Sequence, residues 1–241
     1  MNPLTKTSLL SLIASTALAT GASAATIQVD FGLDTQQTET LGWNNMTSDS
    51  GGQPADLTNL VDDAGDPTGI DLTYLKTGDG SGNNPNGAGG VAGSGANYNG
   101  PYPDALDSFP TSALQDGLFF AQSGATITLT LSNLDTDLTY DFILYGARGN
   151  NGLVDTTYQV TGANDSGVIN IGPVNTNDDD FADITGIAPD VNGEITITAT
   201  SINGSSGNGG ALNLLVVTAV PEPGSLALLS LGGVLIARRR R

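Results

Sequence analysis

Carboxylates are the main chemical resource of this chain. Its 241 residues hold 25 Asp and Glu against seven Lys and Arg, with no histidine and no cysteine. Zinc sites of the usual His and Cys type, Ser/His/acid triads and Cys/His nucleophile pairs are therefore excluded, and so are disulfides. Oxygen chemistry remains. The run NTNDDDFAD sets Asp178, Asp179, Asp180 and Asp183 close together, hard donors of the type calcium takes, although the spacing of an EF-hand loop is not met. A calcium site and a solvated acidic loop are both open readings of this run. Asp62, Asp63, Asp66 and Asp71 form a weaker second candidate. Paired carboxylates can also hydrolyse glycosides, one as acid and one as base or nucleophile. So acidic a chain brings some pair together by chance, and the GxSxG of serine hydrolases is absent.

The second resource is aromatic. Trp43 is the only tryptophan; Tyr98 and Tyr102 stand with Phe109 in YNGPYPDALDSFP, and Tyr145 ends LTYDFILY three residues before Arg148. Ring faces stack on sugar rings and a guanidinium donates a fork of hydrogen bonds, so Trp43, Tyr98, Tyr102, Tyr145 and Arg148 are the candidate glycan-binding residues. Each has a plainer role. A lone tryptophan serves as a core or rim residue, Tyr102 and Phe109 pin a loop onto the core, and Arg148 pairs with a carboxylate. Pinning is the favoured reading of the YNGPYPDALDSFP aromatics.

The elements that must position these residues are strands. TIQVDFG, IDLTYLK, ATITLTL, LTYDFILYG, TTYQVTG and VNGEITITATS alternate apolar with polar residues, the signature of half-buried strands. ATITLTL and LTYDFILYG are expected to pair antiparallel across the SNLDTD turn. Leu212 to Val217 is continuously apolar, as a central strand should be. Between strands lie polar connections, among them the Gly/Asn-rich stretch from Thr77 to Gly100. It is read as a surface loop; its glycines lack the GxxxxGK[ST] pattern of a phosphate site. No long amphipathic helix interrupts the series. The expectation is an all-β, antiparallel β-sandwich of jelly-roll-like topology over residues 25–218.

The two ends carry addresses. Residues 1–24 contain Lys6, an apolar stretch and Ala22-Ser23-Ala24, the parts of a secretory signal helix that export machinery and signal peptidase would process, leaving Ala25 first. Residues 219–241 run from a Pro/Gly spacer through an apolar segment, Leu226 to Ala237, into Arg238 to Arg241. That segment is short for a bilayer helix and is expected to be a hydrophobic helix that anchors the chain in the inner membrane, transiently or stably, with the arginines cytoplasmic. Only Lys76 and Arg148 are basic between these ends, so the body repels nucleic acid and no nucleic-acid partner is expected.

Pro221, Glu222 and Pro223, followed by that apolar segment and basic end, resemble the PEP-CTERM sorting signal of exopolysaccharide-producing Gram-negative bacteria. The resemblance implies export, recognition and cleavage near the tripeptide by an exosortase-type enzyme, and delivery to the cell surface or extracellular matrix. IQVDFG, LTYDFILYGARG and ALNLLVV also resemble the strand pattern of galactose-binding-like jelly rolls, which carries no catalytic residue over to this chain. The function expected is that of an exported, non-catalytic surface or matrix protein associated with exopolysaccharide. A carbohydrate-active enzyme using paired carboxylates is the alternative.

Overall fold

The structure is a computed structural model, and it describes residues 25–48, 54–77, 90–91, 102–115, 117–121, 124–147, 155–172, 180–202 and 209–221. The expected signal helix and C-terminal hydrophobic helix lie outside these residues.

Thirteen strands run through the described residues: β1 (Thr26–Leu33), β2 (Trp43–Ser48), β3 (Asp71–Thr77), β4 (Gly90–Val91), β5 (Leu118–Ala121), β6 (Thr126–Ser132), β7 (Leu138–Tyr145), β8 (Asp155–Thr161), β9 (Ile169–Ile171), β10 (Ala182–Ile187), β11 (Ile195–Ile202), β12 (Gly209–Leu212) and β13 (Leu214–Pro221). A turn of 3-10 helix (Asp104–Leu106) and a short helix α1 (Ser112–Gln115) lie between β4 and β5. One sheet has the order β10-β7-β13-β1-β2, a second β3-β6-β11-β8-β9, and a small third β12-β5-β4.

The pairing is nested. β1 pairs with β13 in the first sheet, β6 with β11 in the second, β7 with β10 in the first and β8 with β9 in the second. Each pair lies within the previous one along the chain, and successive pairs alternate between sheets. A long antiparallel hairpin rolled over itself gives this pattern, which is the jelly roll. β2 and β3 widen the two sheets at their edges.

All these ladders are antiparallel except β1 with β2. The chain leaves β1 at Leu33 and doubles back before β2 opens, so both strands run the same way. Gly42 makes the last turn at φ 86°, where a Cβ would also press within 2.6 Å of the Asp63 carbonyl.

The expected pairing of ATITLTL with LTYDFILYG is corrected: β6 and β7 lie in opposite sheets. Asn133, at φ 64°, opens the connection between them, and the Leu134 N–H donates to Gly193 of a neighbouring turn rather than across a hairpin. Alternation reveals which face of a strand is buried but says nothing about its neighbour.

Inward side chains of both sheets make one core: Ile27, Val29 and Phe31 of β1, Tyr140, Phe142 and Leu144 of β7, and Leu215 and Val217 of β13 meet Ile127, Leu129 and Leu131 of β6, Tyr158 and Val160 of β8, and Ile195 and Ile197 of β11. β1 and β7 start, and β13 ends, at one pole of the sandwich. β3, β7, β9 and β11 end at the other.

Candidate functional site

The outer face of the first sheet is built from the residues that alternate with the core. Trp43 pairs with Gln28, Gln28 with Val216, and Val216 with Ile143, while Tyr145 pairs with Leu214 and Leu214 with Asp30. Over these rows folds the segment from Tyr102 to Gln115. Its Leu106, Ala113 and Leu114 join Trp43, Tyr145, Ala147, Leu214 and Val216 in a second hydrophobic cluster, with Tyr102, Phe109, Ile143 and Phe181 at the margin. Trp43 meets Phe109 edge to face at 6.2 Å, and Tyr102 meets Tyr145 in the same manner at 6.4 Å.

Buried polar groups fix this cover in place. The Thr38 N–H donates to Asp30 Oδ2 and to Asn45 Oδ1, both at 2.8 Å, and the Thr38 hydroxyl lies 2.6 Å from that of Ser112. The Asn213 amide donates to the Leu114 carbonyl at 3.0 Å and its oxygen accepts the Ala147 N–H at 2.8 Å. One fully buried side chain thus ties α1 and the exit of β7 to the break between β12 and β13. Gly146, just before Ala147, passes so close to the Ala211 carbonyl and the Tyr158 hydroxyl that a Cβ would collide with both.

Of the aromatic residues picked out in the sequence, Trp43, Tyr102 and Tyr145 are brought together, but as packing. Tyr145 is fully buried and Trp43 is 9% exposed. A ring enclosed on all sides offers no face to a sugar, so Tyr145 as a stacking platform is corrected to a core residue. Tyr102 is the half-buried member at the rim. Burial raises its phenol pKa, partly offset by a hydrogen bond with Gln115. This arrangement fits the pinning role expected of Tyr102 and Phe109. Tyr98 and Arg148 lie outside the described residues.

Asp178 and Asp179 also lie outside them, while Asp180 and Asp183 are exposed at the start of the β10 region. Among the described residues no group of three Asp or Glu is placed to hold a metal ion. Asp62 and Asp71 instead cap their own loop. Asp62 Oδ1 accepts the Ala64 and Asp66 N–H groups at 3.0 and 2.9 Å, and Asp71 Oδ1 accepts that of Asn59 at 2.8 Å.

Among the described residues, two depressions carry carboxylate side chains beside apolar walls. One, of about 320 Å³, lies at the pole where the chain enters and leaves the body. Apolar walls from Ile27, Ile70, Leu138 and Val217 stand there beside Asp62, Asn133 and Asp135. The other, of about 220 Å³, lies on the uncovered part of the first sheet's outer face and carries Asp141, Asp183 and Thr218. Asp183 pairs with Ile143, which puts Asp141 on the diagonal, about 7–8 Å away by ordinary sheet geometry. Asp141 Oδ1 accepts the Gly186 N–H at 2.8 Å, where β10 is bulged.

Sequence reasoning missed both depressions. The turn signals of DDAGDP and SNLDTD were visible, but their meeting at one pole is set by the rolled topology.

β13 is the last core strand, and it continues to Pro221, which pairs with Leu138. The Thr139 hydroxyl donates to the Val220 carbonyl at 3.4 Å, and the Ala219 N–H to the Ala25 carbonyl at 3.0 Å. Chain entry and chain exit are therefore hydrogen-bonded neighbours. Residues 219–241 match the PEP-CTERM protein-sorting motif. A match to this motif implies export, so the jelly-roll body ends inside a sorting signal. Pro221 is its described residue within the tripeptide; Glu222 and Pro223 lie outside the described set. Among the described residues no helix is long and apolar enough to cross a membrane.

No curated protein matches the chain. Among solved structures, the chain is similar to the CBM36-1 domain of a multidomain xylanase from the hindgut metagenome of Trinervitermes trinervoides, at 15% identity and TM-score 0.30, covering 61% of this chain and 95% of that one. It is similar to TmCBM61, solved with β-1,4-galactotriose, at 12% identity and TM-score 0.30, covering 62% of this chain and 84% of that one. A third similarity is to an exo-β-1,3-galactanase from Phanerochaete chrysosporium, solved with galactose, at 15% identity and TM-score 0.29, covering 64% of this chain and 31% of that one. Likeness at this level stops short of a shared site.

Proposed function

We propose that this chain is an exported, non-catalytic jelly-roll protein of the cell surface or extracellular matrix, associated there with exopolysaccharide and released through its C-terminal signal. Signal peptidase removes residues 1–24 and an exosortase-type enzyme removes the apolar tail, which anchors the chain to the inner membrane until then. The observation that carries this reading is the junction at Pro221, where a body with a complete core passes directly into the sorting motif. Non-catalytic action is supported by the lack of histidine and cysteine and by carboxylates that serve loops and bulges. Tyr102, half-buried at the margin of the aromatic cluster, is assigned to meet a sugar, with Trp43, Tyr98 and Arg148 as the further candidates. Tyr145 supports Tyr102 from below. Calcium at Asp178, Asp179, Asp180 and Asp183 is assigned a structural role, which a rise in Tm on adding calcium alone would reveal.

Cell fractionation with mass spectrometry of both termini tests the route. The expected product begins at Ala25, lacks the arginines and is found outside the inner membrane. An intact tail in every fraction contradicts it. Binding to the producer's own exopolysaccharide, lost in Tyr102→Ala while the fold is retained, tests the glycan association.

Asp141 and Asp183, which line one depression, favour a second reading, glycoside hydrolysis by paired carboxylates. Reducing sugar released from the same polysaccharide by the parent protein and not by Asp183→Asn would establish it.

A further inference from the structure

We propose that the outer face of the second sheet is a docking surface for a second copy of this chain, so that two bodies pack sheet on sheet. The proposal goes beyond the sorting and glycan readings and depends on neither.

Alternation makes this face. With Ile127 and Leu129 of β6 and Ile197 and Ala199 of β11 turned to the core, Thr126, Thr128 and Thr130 stand on the other side, opposite Thr200, Thr198 and Thr196. β3 and β8 extend the middle row with Leu75 and Gln159. The face is open to solvent. Leu75 is 60% exposed at one edge, and Val168, just before β9 at the other edge and on the side of Asn170 by alternation, is 65% exposed. Two large apolar side chains left in water thus flank a threonine centre.

Charge selects the occupant. The chain carries a formal net charge of -18, which sets copies against one another. On this face the carboxylates Asp71, Asp155 and Asp165 stand only at the margins, and the two central strands present none. Here two copies can meet without opposing their charges, and a basic partner finds nothing to pair with. Among its described residues the face has no aromatic ring to stack on a sugar.

The face is also ready to be covered. Thr126 and Thr200 hydroxyls bond one another at 3.0 Å, and Asp165 Oδ2 takes the Gln159 amide at 2.7 Å and the Thr161 hydroxyl at 3.2 Å, so these groups are not stranded on burial. β-Branched side chains have little rotamer freedom to lose. Both copies twist with the same hand, which lets the sheets align as in a sandwich. Strand addition at the β3 edge is blocked: Leu57 and Leu72 exchange main-chain bonds there, and Asp56 takes the Tyr74 N–H at 2.8 Å. By ordinary strand spacings the face spans roughly 24 by 23 Å. Two copies would bury on the order of 1,000 Å², the lower limit of a specific contact, so the dimer is weak and forms where the chain is concentrated.

Sedimentation of the full chain, in mild detergent that covers the apolar tail, tests this. A dimer is expected whose population rises with protein concentration and with added salt, because screening removes repulsion between acidic bodies. Thr198→Lys should weaken it at least tenfold without lowering Tm, and Leu75→Lys, at an exposed edge position, severalfold. Should Thr198→Lys misfold, Leu75→Lys carries the test. The chain has no cysteine, so Thr198→Cys and Val191→Cys each add a sole thiol, the second in a turn 97% exposed and away from this face. A short bis-maleimide is expected to link Thr198→Cys copies and not Val191→Cys copies. A monomer at every concentration, a dimer weakened by salt, equal linking at both thiols, or a folded Leu75→Lys that dimerises as the parent does overturns the proposal. So does a monomeric parent whose binding to exopolysaccharide is lost in Thr198→Lys, which would give the face to the glycan.

Discussion

On its inner face the first sheet meets a whole second sheet, through Phe31, Phe142 and Leu215. On its outer face Trp43, Tyr145 and Leu214 meet a single chain segment with one short turn of 3-10 helix and one of α-helix. Both faces bury apolar side chains, yet they are closed by different means. The inner closure is strand alternation repeated on facing sheets, with hydrogen bonds satisfied within each sheet. The outer closure depends on side-chain amides and hydroxyls of Asn45, Thr38, Ser112 and Asn213 to hold irregular backbone against a sheet. A pattern-made face tolerates loss of a polar residue; a cover made from side chains should not.

Substitutions can break this comparison. Phe142→Ala, in the middle of the inner core, should cost about 3–5 kcal/mol. Trp43→Ala should sit near the lower end of that range, about 3 kcal/mol, because its cover can settle toward the vacated space. Asn213→Ala leaves the Ala147 N–H and the Leu114 carbonyl without partners and should cost about 1–3 kcal/mol, with increased proteolysis in the Tyr102 to Gln115 segment and no change in the inner core. Urea titration with Trp43 fluorescence reads the last; equal losses of protection in both layers would remove the distinction.

The smallest effect is electrostatic. The Asp165 carboxylate is held below the usual range by the Gly167 N–H, then by Gln159 and Thr161, and that of Asp190 by the N–H groups of Glu194 and Asn192. A depressed carboxylate pKa adds stability above the unfolded-state value, and the gain disappears as pH falls through the folded-state value. Asp165→Asn should therefore lower Tm slightly at neutral pH, and the difference should begin to shrink below about pH 4 and vanish once the pH passes the lowered folded-state value. Both groups are in exposed turns at the tail pole, so neither face of the sheet should respond.

The inner face was legible in the sequence because β6, β8 and β11 write it as strict alternation, and β13 as an unbroken apolar run. The outer face was not. Ile143 and Tyr145 on the reverse face mark β7 as more buried than a simple edge strand, but do not tell that a segment some forty residues earlier is laid over them. Asp30 reads as a solvent-facing residue of β1 and is fully buried, because Thr38, whose N–H is shared with Asn45 of the edge strand, reaches it from a loop. The tail was legible in full, since its tripeptide, apolar run and arginines are contiguous. That its first proline belongs to the last core strand was not, because Leu138 and Thr139 lie some eighty residues away.

Residue-by-residue amide hydrogen exchange from Leu212 to Ser225 in the full chain tests the boundary between body and signal most directly. The account predicts slow, globally limited exchange through Ala219 and intermediate exchange at Val220. Uniform fast exchange along β13 would contradict a last core strand that runs into the sorting motif.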